Sequence, residues 1–361
     1  MKKQSKMTMA GIFILLTVFV FPQFTVFADN VVKTIQVSYQ NIKIYVDGNL
    51  VTSRDAAGRM IEPFIHDGVT YLPVRAISEA LGKTVEWDEE GNSIYIGEHI
   101  SEEFKEVIVS TAEELVNALG SNRRILLNEG VYNLSSVNPG MIYNSSVFVD
   151  EVFDGSEIRL EGVHNLTILG IGDTPSEIII EPRYAYVLNF QNCSNINIGN
   201  IKAGHTESGD CVGGVFSFIH SSGITIDKAL LYGCGTYGLN IDMVMDMKVT
   251  DSSIYECTYG AIVVFGGKDI LFERCVFRNN AGFETVTVAL TSGLTFDACA
   301  FIENTGASSY PMFSILHSDD VIVRNSTFND NTTDRLIDSD IFIFDDSNMF
   351  INNSFSDMRK L

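Results

Sequence analysis

Gly223-Ile-Thr-Ile-Asp-Lys-Ala-Leu-Leu231, Asp246-Met-Lys-Val-Thr-Asp-Ser-Ser-Ile254 and Asp269-Ile-Leu-Phe-Glu-Arg-Cys-Val-Phe277 are three copies of one pattern. The residues one and three places after each start are apolar, the sixth is small and the eighth is bulky. Working outward, further copies start at Asn165, Asn195, Gly293, Asp320 and Asn348, at intervals of 30, 28, 23, 23, 24, 27 and 28 residues. Apolar residues at every second position make a strand with one buried face. A strand repeated at such intervals makes a solenoid whose coils stack on one another.

A second alternating stretch precedes each start, at positions −7 and −5: Ile158/Leu160, Leu188/Phe190, Phe216/Phe218, Leu239/Ile241, Ile262/Val264, Val286/Val288, Phe313/Ile315 and Ile341/Ile343. Each coil therefore carries at least two inward-facing strands, and like residues fall on like. The expected fold is mainly β, a parallel β-helix over residues 111–361, with coils about 4.8 Å apart. Thr111-Ala-Glu-Glu114 has capping-box spacing, which predicts a short helix running to Gly120 that caps the first coil.

Lys2, Lys3 and Lys6 precede an apolar run, and Val26-Phe-Ala28 places small residues at a cleavage point, so residues 1–28 read as a signal peptide of a secreted or envelope-associated protein. Its removal leaves 21 basic residues against 46 acidic, a net charge of −25 and no further membrane span. Nucleic acid and anionic membranes are disfavoured as partners. Nothing in the pattern calls for an oligomer, so a monomer is expected. The cysteines fall at like positions in neighbouring coils (Cys234 with Cys257, Cys275 with Cys299), which reads as a ladder of buried thiols, with disulfide bridging between neighbouring coils as the alternative.

Residues 29–98 form a separate α+β unit, with 99–110 as an expected linker. Val69-Thr-Tyr-Leu-Pro-Val-Arg-Ala-Ile-Ser-Glu-Ala-Leu-Gly82 joins a strand to a helix, and Val85-Glu-Trp-Asp-Glu-Glu-Gly-Asn-Ser-Ile-Tyr-Ile-Gly97 reads as a hairpin. This stretch resembles the copper amine oxidase N-terminal-like, or stalk, domain found in secreted proteins of Gram-positive bacteria. A copper amine oxidase needs three His ligands in a catalytic domain, and this module has only His66. No copper and no amine oxidase activity are expected, and the module reads as a spacer. The repeats resemble the right-handed parallel β-helix superfamily that includes pectate lyases. That resemblance implies right-handed coiling and an extracellular polysaccharide as partner.

The outward residues at −6 and −4 are polar in the early coils and apolar in the later ones, from Val263 and Phe265 to Phe342 and Phe344. Exposed apolar residues need cover, so the polar half is the candidate groove. Its substrate-binding candidates are Asn189, Gln191, Ser217, Asn240 and Tyr237, with Tyr184, Tyr186 and Tyr259 as further stacking platforms. Pectate-lyase-like elimination, the chemistry the resemblance implies, asks for carboxylates on Ca²⁺ and a basic group beside the sugar. Arg159, Glu161, His205, Asp210 and Asp242 are the catalytic candidates, and Glu161, Asp210 and Asp242 the candidate Ca²⁺ ligands. Glycoside hydrolysis would need a carboxylate pair, and the paired Asp of polygalacturonase-like β-helices is missing. The leading expectation is a glycan- or surface-binding β-helix protein; the alternative is a Ca²⁺-assisted polysaccharide lyase or a glycosidase.

Overall fold

The computed structural model describes residues 35–54, 59–88, 93–97, 104–142, 145–206, 212–233, 235–339, 341 and 343–357. The leader at 1–28, Asp210, Cys234 and Phe342 lie outside them. The chain divides into two units, residues 1–100 and 101–361.

In the first unit, three antiparallel hairpins pair Ile44–Val46 with Asn49–Val51, Phe64–His66 with Val69–Tyr71, and Val85–Asp88 with Ser93–Ile96. Asp47-Gly48 and Asp67-Gly68 supply the two positive φ angles that tight two-residue hairpins require. Helix Val74–Ala80 ends where Gly82 turns left-handed and Lys83 N–H reaches Ser78 O at 2.8 Å. His66 is bound to a neighbour rather than open, its Nδ1 lying 2.9 Å from Gln36 O.

The second unit is a parallel β-solenoid of three sheets. A leading sheet runs from Gly155–Glu161 through Leu188–Gln191, Phe216–Ile219, Tyr237–Asp242, Gly260–Phe265, Val286–Ala289 and Pro311–Leu316 to Thr332–Asp338. A middle sheet carries the +1/+3 strands from Leu166/Ile168 to Val321/Val323, all buried. The trailing sheet is built of short strands such as Leu230–Tyr232, Ser253–Tyr255 and Val276–Arg278. Corners between the sheets repeat left-handed residues at like positions, for instance Lys228, Asp251, Arg274, Ala298 and Asn325. Such conformations are unfavourable for side chains other than Asn, Asp and Gly, and stacking of the coils holds them.

Two kinds of stack fix the register. Phe277, Phe301, Phe328 and Phe350 are stacked at 4.8, 4.7 and 4.7 Å between ring centroids. Beside them Asn280, Asn304, Asn331 and Asn353 pass hydrogen bonds from coil to coil. Cys193, Cys257, Cys275 and Cys299 are buried free thiols.

Two expectations change, those for the linker and for the last repeat. Lys105–Val109, within the expected linker, is a strand paired in parallel with Arg123–Leu127, because alternation at Val107 and Val109 lets it join the middle sheet. The helix spans Ala112–Ala118, with Thr111 Oγ1 accepting from Glu114 N–H at 3.2 Å and with Leu115 and Val116 buried. The last repeat is shifted: Met349–Ile351 pairs with Thr327–Asn329 in the trailing sheet, and Phe344 bridges Val323 in the middle sheet. The Phe350 ring on Phe328 and Asn353 on Asn331 decide that register, and they bury Phe344, which the repeat placed outward. The leading-sheet place of that coil goes to Arg335–Asp338 instead of Ile341–Ile343.

Candidate functional site

The outward rows of the leading sheet are in register across the coils. Arg159 lies beside Asn189, Asn189 beside Ser217, Ser217 beside Asn240, and Asn240 beside Val263. The second row runs Glu161, Gln191, Ile219, Asp242, Phe265, Ala289, Leu316. The predicted polar-to-apolar change along the sheet is thus confined to the second row. The first row stays polar again at Thr287 and Ser314.

Arg159 is not a free base. Its guanidinium binds Asp150 through Nε and Nη2 and Glu161 through Nη1 at 2.7 Å, and it lies 4.6 Å from the Phe148 ring. The Asp150 hydrogen bond leads the causes that raise its pKa, so the group is held more firmly protonated than an ordinary arginine. Glu161 is likewise engaged, accepting from Asn192 Nδ2 at 2.6 Å as well as from Arg159.

Glu161 and Asp242 stand three strands apart in one row, about 14 Å at an interstrand step of about 4.8 Å. A calcium ion binds its oxygen ligands at about 2.3–2.6 Å, so these two carboxylates do not share one ion. Among the described residues no group of three or more His, Cys, Asp or Glu side chains is placed to hold a metal.

His205 is not in the groove either. It ends strand Ile201–His205 of the trailing sheet and is only 4% exposed. Its Nε2 lies 2.8 Å from Ala185 O, and since a carbonyl only accepts, Nε2 carries the proton and Nδ1 is left as a buried, unpartnered acceptor. Burial pushes its pKa down. His205 therefore anchors the segment around Ala185. Two acids hold the same segment: Asp154 accepts from Arg183 and Tyr184 N–H at 2.8 and 3.1 Å, and Glu157 accepts from Tyr186 N–H at 2.8 Å.

Two substrate-binding candidates are buried. Asn189 donates to Glu157 Oε1 at 2.8 Å while its Oδ1 has no partner, and Ser217 Oγ accepts from Asn240 Nδ2 at 3.0 Å. Outward from a strand is not the same as exposed, because the neighbouring polar side chains Glu157 and Asn240 close over these two. Gln191, Asn240, Asp242 and Tyr237 remain partly exposed.

Of the stacking candidates read from the sequence, Tyr237 and Tyr259 come together, and the two rings that continue them, Phe283 and Tyr310, were missed. Tyr237, Tyr259, Phe283 and Tyr310 come from successive coils, with ring centroids 6.5, 4.6 and 4.8 Å apart, all partly exposed. Tyr186 extends the line two coils toward the N-terminus. Glycine alternates with tyrosine here: a Cβ on Gly214 would strike the Tyr186 ring, and one on Gly260 would come within 3.2 Å of the Tyr237 ring. Tyr186 thus lies over Gly214 of the next coil, and Tyr237 over Gly260. From Tyr186 to Tyr310 is five coils' steps, about 24 Å of aromatic surface parallel to the solenoid axis. The signal was available as Tyr186/Gly214/Tyr237/Gly260 at position −9 of successive repeats.

Two regions of the chain match known families. Residues 186–360 match the right handed beta helix region, and residues 23–98 match the copper amine oxidase N-terminal domain. Among solved structures, an alginate lyase from Paenibacillus sp. str. FPU-7 is similar at 15% identity and TM-score 0.34, covering 69% of this chain and 95% of that one. A pectate lyase from Paenibacillus sp. 0602 is similar at 10% identity and TM-score 0.40, covering 64% and 79%. The Streptococcus pneumoniae surface protein and adhesin PfbA is similar at 11% identity and TM-score 0.33, covering 69% and 88%. At such identities and TM-scores these likenesses carry no functional argument. No curated protein matches the chain. No helix of the described residues is long and apolar enough to cross a membrane.

Proposed function

We propose that this protein binds polysaccharide along the leading sheet of its β-helix, as a secreted or envelope-associated monomer whose stalk-like first unit serves as a spacer. The observation that carries the proposal is the axis-parallel line from Tyr186 through Tyr237, Tyr259 and Phe283 to Tyr310. Partly exposed rings in line offer apolar surface to successive sugar units, while Asn240, three residues along its strand from Tyr237, adds a polar group about 10 Å to the side. An extended polymer matches such a surface better than a small ligand does.

The lyase reading loses its support at the same place. Its proton acceptor, Arg159, is occupied by two carboxylates, and its ligands Glu161 and Asp242 stand too far apart to act on one ion.

The test is retention of the purified protein by a panel of immobilised polysaccharides, with reducing ends and unsaturated uronates followed in parallel. Retention without product supports binding. Calcium-dependent release of unsaturated product would replace this reading with the lyase one.

A further inference from the structure

We infer that the glycan this face accepts is uncharged, an inference that rests on the binding reading above and specifies its ligand. Two observations converge on it. First, every arginine on the leading sheet is already neutralised. Arg159 at one end is tied to Asp150 and Glu161, and Arg335 at the other lies 3.4 and 3.5 Å from Asp334 and Asp338. Between these ends the outward row reads Asn189, Ser217, Asn240, Val263, Thr287 and Ser314, with neither Lys nor Arg.

Second, the charge that does stand beside the rings is negative. Glu284, which follows Phe283, is partly exposed and has no ion pair with a described residue. Glu284 lies close enough to Tyr237 to add to the rise in its pKa, which burial causes first. A uronate carried along the rings from Tyr237 to Tyr310 would pass this carboxylate, and the outward row beside it offers no Lys or Arg; Arg183, three residues before Tyr186, is the cation at the N-terminal end of the line. The ring faces add to this, since the negative π face attracts the C–H face of a neutral pyranose and repels a carboxylate.

The test sets the full chain against immobilised neutral polysaccharides (β-glucan, mannan, xylan, galactan) and uronates (polygalacturonate, alginate), each with calcium or with chelator. Retention is measured from about 0.1 M to about 1 M salt, which shortens the Debye length from about 10 Å to about 3 Å. The inference expects retention by at least one neutral glycan, preferred over either uronate by about tenfold or more, the scale of one like-charge contact at this surface. It also expects retention to change by less than about threefold across the salt range. Uronate retention equal to or above the neutral one, or retention abolished by salt or chelator, overturns the inference and leaves polysaccharide binding in place. Retention by none of the panel overturns both.

Discussion

Replacing Asn304 by Ala should destabilise the solenoid without touching the first unit. Asn304 is fully buried and serves two directions at once. Its Oδ1 accepts from Asn280 N–H at 3.1 Å and from Asn280 Nδ2 at 3.0 Å; its Nδ2 donates to Phe277 O at 2.9 Å and to Asn331 Oδ1 at 3.0 Å. Alanine removes all four bonds. Asn280 Nδ2 keeps Ile254 O, and Asn331 Oδ1 keeps the Asn304 backbone N–H. Phe277 O keeps the ladder bond that pairs Arg278 with Ile302, so Asn280 N–H alone loses its partner in the buried interior. A buried backbone group left unsatisfied costs about 1–3 kcal/mol, and that is the expected loss.

The chain offers a clean assay. Its single tryptophan, Trp87, lies in the first unit, so tryptophan fluorescence reports on that unit while far-ultraviolet circular dichroism is dominated by the solenoid. In urea the dichroism transition of Asn304→Ala should move to lower denaturant, and the fluorescence transition should stay where it is. Asn329→Ala, whose amide reaches only the exposed Asp330, is the control and should change stability by no more than about 0.5 kcal/mol. Coils of a solenoid can also unfold separately, in which case the loss appears as an early partial transition. A dichroism shift worth less than about 1 kcal/mol would refute the claim that the asparagine ladder holds the coils together.

Tyr259→Ala and Phe283→Ala should each weaken glycan retention by about threefold to tenfold, from ring contacts worth about 0.5–1.5 kcal/mol, and leave the dichroism transition within about 1 kcal/mol; equal retention by wild type and variants would remove the ring line from the site. Gly260→Ala should lower both stability and retention, because its Cβ meets Glu284 O and the Tyr237 ring; a cost below about 1 kcal/mol would show that this strand can shift freely. Acid should destabilise the Tyr184–Tyr186 anchor. His205 has its pKa lowered from 6.5 by burial, so the unfolded chain binds the proton more readily, and stability is lost as pH falls through 6.5 toward the lower folded value. Solenoid melting midpoints measured between neutral and acid pH should therefore fall less steeply in His205→Gln than in wild type, and parallel profiles would contradict the assignment.

The middle and leading sheets were legible because a buried strand face declares itself every second residue, as at Ile224/Ile226 or Leu239/Ile241. The trailing sheet was not. Its three-residue strands carry one inward side chain each, Leu231, Ile254, Phe277, Phe301 and Phe328, and a single residue has no period. Period two also failed at the last coil: Met349/Ile351 fits two registers equally well as a pattern, and only the Phe350 stack and the Asn353 bond choose between them. At the candidate site the same strand logic gave outward direction correctly and exposure wrongly. Asn189 and Ser217 point away from the core and are still buried, and His205 is bound under a segment far from it in sequence.

The interior and exterior of this solenoid are under different physical demands, and the difference is what makes the ring line informative. Inside, each coil must place like on like, so Phe328 on Phe301 or Asn331 on Asn304 is required by packing and hydrogen bonding alone. At the ring line the two demands meet. Gly260 and Gly214 are both buried, and a Cβ on either would strike the backbone of the next coil, at Glu284 O and Tyr237 O, as well as crowd the tyrosine ring beside it. Close stacking of the coils therefore asks for glycine there whether or not a ligand binds. It does not ask for the partly exposed ring that covers each one, so Tyr186 and Tyr237 rather than the glycines are what an extended chain along the line accounts for.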